Sequence, residues 1–149
     1  VIIRQAAYLD FSSLVAIGHK FFEFNPYRKL TTIDETSLIE TLELLLTQHL
    51  LLVAEVDEKV VGAAAAFIAP LYWNNDYLQG VEAFWWVDPE HRKDGAGTKL
   101  RFALQEAAKI KGVSFWNMIA LKDSMFEQVE ATYKRAGFKP VETIYMKVL

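Results

Sequence analysis

Cysteine is absent from this 149-residue sequence, so disulfides, thiolate metal sites and an acyl-cysteine intermediate are all excluded. Proline and glycine are sparse, at 4 and 7 residues, and no Pro- or Ser-rich stretch separates one part of the chain from another. Internal repeats and low-complexity tracts are missing too, which leaves one continuous domain over residues 1–149 as the expectation. There is no basic excess: 16 Lys and Arg stand against 19 Asp and Glu, for a formal net charge of −3. That balance disfavours a partner held through its phosphates, so no nucleic acid is expected. Long apolar runs are lacking as well. The longest uncharged stretch, Val60 to Asn75, spans 16 residues and holds a glycine, a proline and two asparagines, short of the ~20 apolar residues of a membrane helix. No membrane partner is expected, and without a signal-peptide pattern the expected location is cytoplasmic.

What is present is core material. Hydrophobic residues make up 52% and charged residues 23%, enough apolar surface to exclude a disordered chain. Val1 to Arg4 reads as a short strand. A helix follows over about Asp10 to Phe24, with Phe11, Leu14, Val15, Gly18 and Phe22 on one stripe. A second helix is expected from Thr32, whose spacing to Glu35 fits a capping box, with Leu38, Leu42, Leu45 and Leu46 on its buried face. Leu50 to Val56 and Lys59 to about Tyr72 form β-like runs around Asp57-Glu58, an antiparallel hairpin. Leu78 to Val87 is a further strand, closed by Asp88-Pro89. A helix over about Ala96 to Lys111, a strand over Val113 to Leu121, a helix from the Ser124/Glu127 capping-box pair to Ala136, and a last strand over Phe138 to Leu149 complete the chain. This order predicts an α/β fold with a mixed, mostly antiparallel sheet and helices on both faces.

The stretch between Val87 and Thr98 carries the chemistry. It joins a strand to a helix, where backbone N–H groups left unpaired at the helix start and the helix dipole favour an anion. Gly95 and Gly97 permit positive φ and close approach of a phosphate, and Arg92 and Lys93 add positive charge. The combination reads as a pyrophosphate cradle. A Walker A loop does not fit, because Lys99 follows Gly97 by two residues with Thr98 before it; a dinucleotide loop does not fit either, because Leu100 takes the third glycine's place. Three histidines are scattered along the chain, and no metal-ligating constellation is expected.

The run Val87-x-Pro89-x-x-Arg92-x-x-Gly95-x-Gly97 resembles the acyl-CoA loop of the GNAT superfamily of N-acetyltransferases. Tyr133-x-x-x-Gly137-Phe138 resembles that superfamily's second signature, in the same order along the chain. The resemblance implies acetyl-CoA as acyl-donor cosubstrate, threaded into a V-shaped opening between the strand ending at Val87 and the strand from Val113. It implies that the backbone at Arg92, Lys93, Asp94, Gly95, Ala96, Gly97 and Thr98 holds the pyrophosphate and that the strand edge at Trp86 and Val87 meets the pantetheine. It further implies an amine acceptor, on a small molecule or a peptide, and Tyr133 as proton donor to the departing thiolate. Many members place a general-base Glu where Val81 stands here, one residue from Glu82. Because side chains alternate along a strand, Glu82 reaches the same face only if a β-bulge intervenes. A module that binds CoA without transferring the acyl group is the alternative reading. The aromatic strands around Asn75 leave room for a homodimer.

Overall fold

The computed structural model describes residues 1–149. Five strands, β1 (Ile2–Gln5), β2 (Leu50–Val56), β3 (Lys59–Leu71), β4 (Asn74–Val87) and β5 (Val113–Asn117), lie in the spatial order of their sequence. The pairs β1/β2, β2/β3 and β3/β4 are antiparallel, and β4/β5 is parallel. The sheet is therefore mixed and mostly antiparallel. Asp57 and Glu58 sit at φ of 48° and 63°, the left-handed pair that a two-residue turn needs between right-twisted strands.

Alternation along the central strands assigns the two faces. Leu50, Leu52, Ala54, Ala64 and Ala66 share one core with Leu100, Leu104 and Ala108 of helix α3 (Ala96–Ile110). Leu51, Val53, Ala63 and Ala65 share the other with Leu14 and Ile17 of α1 (Phe11–Phe22) and Leu42 and Leu45 of α2 (Glu35–Gln48). Ala63 to Ala66 are all completely buried, so β3 is covered on both faces by residues small enough to let helices approach from each side. Arg4 fastens the β1 edge, bonding Glu55 on β2 at 2.7 Å and Asp10 before α1 at 2.8 Å.

Three local expectations are corrected. The second helix begins at Glu35 rather than Thr32, because the carboxylate of Asp34 accepts the Ser37 N–H at 2.7 Å and caps it there. Helix α4 (Phe126–Arg135) starts after Met125, at φ 49°, with no side-chain cap, so Ser124 is not its capping residue. The run Phe138 to Leu149 is not a strand. After the Phe138 N–H bonds the Tyr133 carbonyl, residues 139–149 make no backbone hydrogen bond, since no strand of the same chain lies beside them. No helix is long and apolar enough to cross a membrane.

Candidate active site

β4 and β5 pair only from Leu78/Val113 to Val81/Asn117. Beyond that point they part, and the resulting slot holds a cavity of about 230 Å³ lined by Phe21, Tyr27, Glu82, Trp85, Ile119 and Ser124 among others. This is the V-shaped opening. The register of β3 against β4 explains how Glu82 comes to face it. Ala65 pairs with Phe84 but Ala66 with Glu82, so Ala83 is an extra residue in β4. One inserted residue reverses the alternation. Glu82 and Trp85 therefore share the α3 face, while Phe84 and Trp86 turn toward α1.

Glu82 sits at the vertex of the slot, where it takes the place of the lost strand pairing. Its Oε2 accepts the Ile119 N–H at 3.0 Å and lies 3.1 Å from the Tyr133 hydroxyl. The same hydroxyl lies 2.9 Å from the Ile119 carbonyl, so a single phenolic proton has two acceptors within reach. Trp85 stacks on the Tyr133 ring at 6.1 Å between centroids, and Phe138 packs beside it at 5.4 Å. Burial pushes the Glu82 carboxyl up to about 7, against the pull of the Ile119 and Tyr133 hydrogen bonds toward the charged form. Burial, and then the neighbouring Glu82 charge, raise the Tyr133 phenol above its ordinary value. A carboxyl poised near neutrality beside a protonated phenol can accept one proton and pass on another.

The loop after β4 folds as a 3-10 turn over Pro89–Asp94, then Gly95 at φ 77° opens α3 with no side chain capping it. A Cβ on Gly95 would meet nothing within 4 Å, so the turn that opens α3 borders open space, and the start of a helix is a setting that favours an anion. Gly97 differs. A Cβ there would lie 3.3 Å from the Trp85 ring, a tight contact between helix and sheet, and Gly97 is not at positive φ, which corrects that part of its expected role. Arg92 is also turned inward. Its Nε donates to the Val87 carbonyl at 2.9 Å and its guanidinium lies 4.7 Å from the Trp86 ring centre. Trp86 and Val87 are buried, Ala96 is buried, and Lys93, Asp94 and Thr98 are exposed along the rim. The Trp86 indole N–H and Lys20 of α1 both reach the Asp88 carboxylate, at 3.2 and 2.7 Å, tying the start of the loop to the opposite helical layer.

Trp85 belongs to the aromatic run of β4 that the sequence offers as a pocket wall, and the bulge is what turns it into the slot. One member of the site escaped the sequence. Ile119 contributes backbone atoms, for which residue type carries no signal. The histidines serve local structure: His19 meets Glu35 at 2.9 Å, His49 accepts the Ile68 N–H at 3.1 Å and His91 meets Asp94 at 3.2 Å. No three metal-ligating side chains gather anywhere in the fold.

Comparison by sequence with curated proteins gives no match. Among solved structures, an aminoglycoside 6′-N-acetyltransferase from Acinetobacter haemolyticus is similar at a TM-score of 0.73 and 21% identity, over 100% of this chain and 98% of that one. A transcriptional regulator from Bacillus halodurans superposes at a TM-score of 0.77 and 20% identity, over 99% of each chain. A predicted acetyltransferase with acetyl-CoA from Clostridium acetobutylicum gives a TM-score of 0.74 and 22% identity, over 99% of this chain and 95% of that one. Identities this low establish a shared fold. The model of the acetyltransferase (GNAT) family matches residues 16–138, a span that holds the slot, the Gly95 turn and Tyr133; the chain belongs to the GNAT acetyltransferase family, whose acyl donor is acetyl-CoA.

Proposed function

We propose that the chain transfers the acetyl group of acetyl-CoA to a primary amine by direct attack, with Glu82 as proton acceptor and Tyr133 as proton donor. Acetyl-CoA supplies a thioester carbonyl and a thiolate leaving group. The backbone from Arg92 to Thr98 at the start of α3 would hold its pyrophosphate, and the unpaired edge of β4 leading to Trp86 and Val87 would receive its pantetheine arm. Lys93, on the exposed rim, adds positive charge. Arg92 acts at one remove, holding the turn against Val87 and Trp86.

The observation that carries the reading is the pair formed by the buried Glu82 carboxyl and the Tyr133 hydroxyl at the slot vertex. An amine of pKa ~10 arrives as an ammonium and must lose a proton before it attacks, whereas the leaving thiolate gains one. Glu82 lines the cavity and takes the proton from the amine. Tyr133 releases its own to the thiolate, and the hydrogen bond to Glu82 restores it. From ammonium to amide the nitrogen loses two protons: the first, taken before attack, passes to solvent, and the second passes through Glu82 to restore Tyr133, so each turnover releases one proton. With no cysteine in the chain, attack by the amine itself requires both substrates to be bound together. Seven of the eleven cavity-lining residues are hydrophobic, which favours an amine with an apolar body over a polycation.

The test is a thiol-release screen with acetyl-CoA against pooled monoamines, polyamines, amino acids and peptides. Turnover with an amine pool, matched by the mass of an acetylated product, is the expected result. Saturable acetyl-CoA binding with no turnover in any pool would instead favour a CoA-binding module.

A further inference from the structure

Arg101 is the one charged residue whose burial the fold does not explain. Three polar or charged residues are buried. Asp10 is held by Arg4 and the Ala7 N–H, and Glu82 by the Ile119 N–H and the Tyr133 hydroxyl. Arg101, on α3 and only 9% exposed, takes part in none of the chain's ion pairs, and its buried Nε has no hydrogen-bond partner. A buried cation without a carboxylate opposes folding, and a well-packed apolar side chain of similar volume is more stable in such a place.

Its position relates it to the slot. Arg101 follows Gly97 by four residues, so it lies one helical turn along the face that meets Trp85. Its guanidinium carbon is 6.0 Å from the centre of the Phe138 ring. The Phe138 ring is 5.4 Å from that of Tyr133, which also stacks on Trp85 at 6.1 Å. Arg101, Phe138 and Tyr133 thus form a row of contacts from α3 to α4, ending at the hydroxyl that meets Glu82. Rings keep water from this row, so the guanidinium charge is weakly screened along it. Two ionisable groups act on the phenol from the elements packed against it: Glu82 of β4 opposes a phenolate and Arg101 of α3 favours one. On α4 itself, Lys134 and Glu130 pair with each other at the surface at 3.3 Å. Glu82 answers to burial and to its bonds with Ile119 and Tyr133, so the influence of Arg101 falls on the phenol end of the pair.

We infer that Arg101 is a positioning residue for protonation of the leaving group, its charge drawing the negative charge of the Glu82–Tyr133 pair onto the phenol oxygen. The inference rests on Tyr133 as proton donor in the proposed reaction. In that step the Tyr133 O–H bond breaks and an S–H bond forms at the CoA sulfur, while the phenolic electron pair stays on oxygen. The Glu82 carboxyl, protonated by the attacking nitrogen, then gives its proton to the phenolate. The pair carries one negative charge throughout; it starts on the carboxylate, passes to the phenol oxygen and returns. Arg101 acts through Tyr133, with Phe138 between them.

The test separates charge from packing. Trifluorotyrosine in place of Tyr133 ionises at lower pH than tyrosine, and its titration by fluorine NMR needs no substrate. Arg101→Met fills much of the same space and should weaken the acidity of that phenol at least about threefold, whereas Arg101→Lys keeps the charge and should leave it within about twofold. In the chain with its natural tyrosine, Arg101→Met should lower kcat at least about tenfold with the acetyl-CoA dissociation constant within about threefold, and Arg101→Lys should recover most of the loss. In a Tyr133→Phe background, Arg101→Met should change kcat by less than about twofold. A fluorinated phenol whose midpoint does not move with Arg101→Met would overturn the inference. So would equal losses of kcat with and without the Tyr133 hydroxyl, the mark of a packing role. A fall in kcat with Tyr133→Phe but none with Arg101→Met defeats this inference alone, whereas an unaltered kcat in Tyr133→Phe, or no turnover with any amine, defeats the proposed proton transfer and this inference with it.

Discussion

Replacing Glu82 by glutamine tests the centre of the slot through stability before any substrate is added. The carboxyl titrates near 4.5 when exposed and near 7 in the fold, so between those values the folded chain holds a proton that the unfolded chain has released. The sign follows directly. Stability due to this group is fully present below about pH 4.5 and is lost as pH rises through 7, because ionising a buried carboxylate opposes folding. At ~1.4 kcal/mol per pH unit over that interval, the loss is roughly 3 kcal/mol. Glutamine does not titrate, keeps an oxygen for the Ile119 N–H, and nearly conserves volume. The difference in unfolding free energy between the natural chain and Glu82→Gln should therefore drift by about 3 kcal/mol in the variant's favour from pH 4.5 to pH 8, with all other carboxylates cancelling. In a chain of this size that is a relative shift of roughly 6 to 12 °C in melting temperature. Urea melts at half-unit pH steps, without acetyl-CoA, measure it. Parallel stability curves would show that Glu82 titrates as an ordinary exposed carboxyl and would remove its claim to act as a base near neutrality.

With acceptor present, kcat/KM should rise with pH through about 7, and Glu82→Gln should abolish that limb and cost roughly 10² to 10⁴ in rate, as read from initial rates between pH 5.5 and 9. Tyr133→Phe keeps the ring against Trp85 and should lower kcat at least about tenfold with acetyl-CoA affinity within a few-fold; because Glu82 also loses a hydrogen-bond donor, the ascending limb should move to higher pH, which a purely packing role would not cause. Gly95→Val places a β-branched residue at φ 77° and should raise the acetyl-CoA dissociation constant by about tenfold or more in calorimetry, whereas Gly97→Val should lower stability by about 1 to 3 kcal/mol in urea melts through contact with Trp85. Double-reciprocal initial-rate plots should intersect, and parallel lines or an acetylated protein trapped without acceptor would defeat direct attack.

The layers of this fold were legible because the apolar pattern repeats at the period of each element. Leu50 to Val56 alternates into two cores, and Leu100, Leu104 and Ala108 follow a helical stripe, so strand and helix order emerges from periodicity alone. The turn into α3 was legible for a different reason: Gly95 stands at a left-handed position, which glycine adopts at no steric cost. Glu82 marks the limit. Its facing depends on a bulge at Ala83, an apolar residue indistinguishable in type from the four alanines across from it on β3. Helix starts were misplaced where two side chains competed, as at Thr32 and Asp34, since spacing cannot show which oxygen reaches the amide. The Phe138–Leu149 run shows a local preference without a local partner. Its composition is that of a strand, but a strand requires an edge, and the sequence of one chain does not say where that edge is.

The contact between Glu82 and the Ile119 amide bears on how the cosubstrate enters. Where two strands part, each ordinarily exposes amides that would pair again when the gap empties, and a ligand then meets only the fraction of molecules that stand open. Here one of those amides is already occupied by a side chain belonging to the gap's own vertex. Closing the strands would have to expel a buried carboxyl, so the wedge persists in the empty protein. For acetyl-CoA entering this slot, the expected apparent affinity is the intrinsic one, undivided by a small competent population, with arrival limited by encounter and orientation.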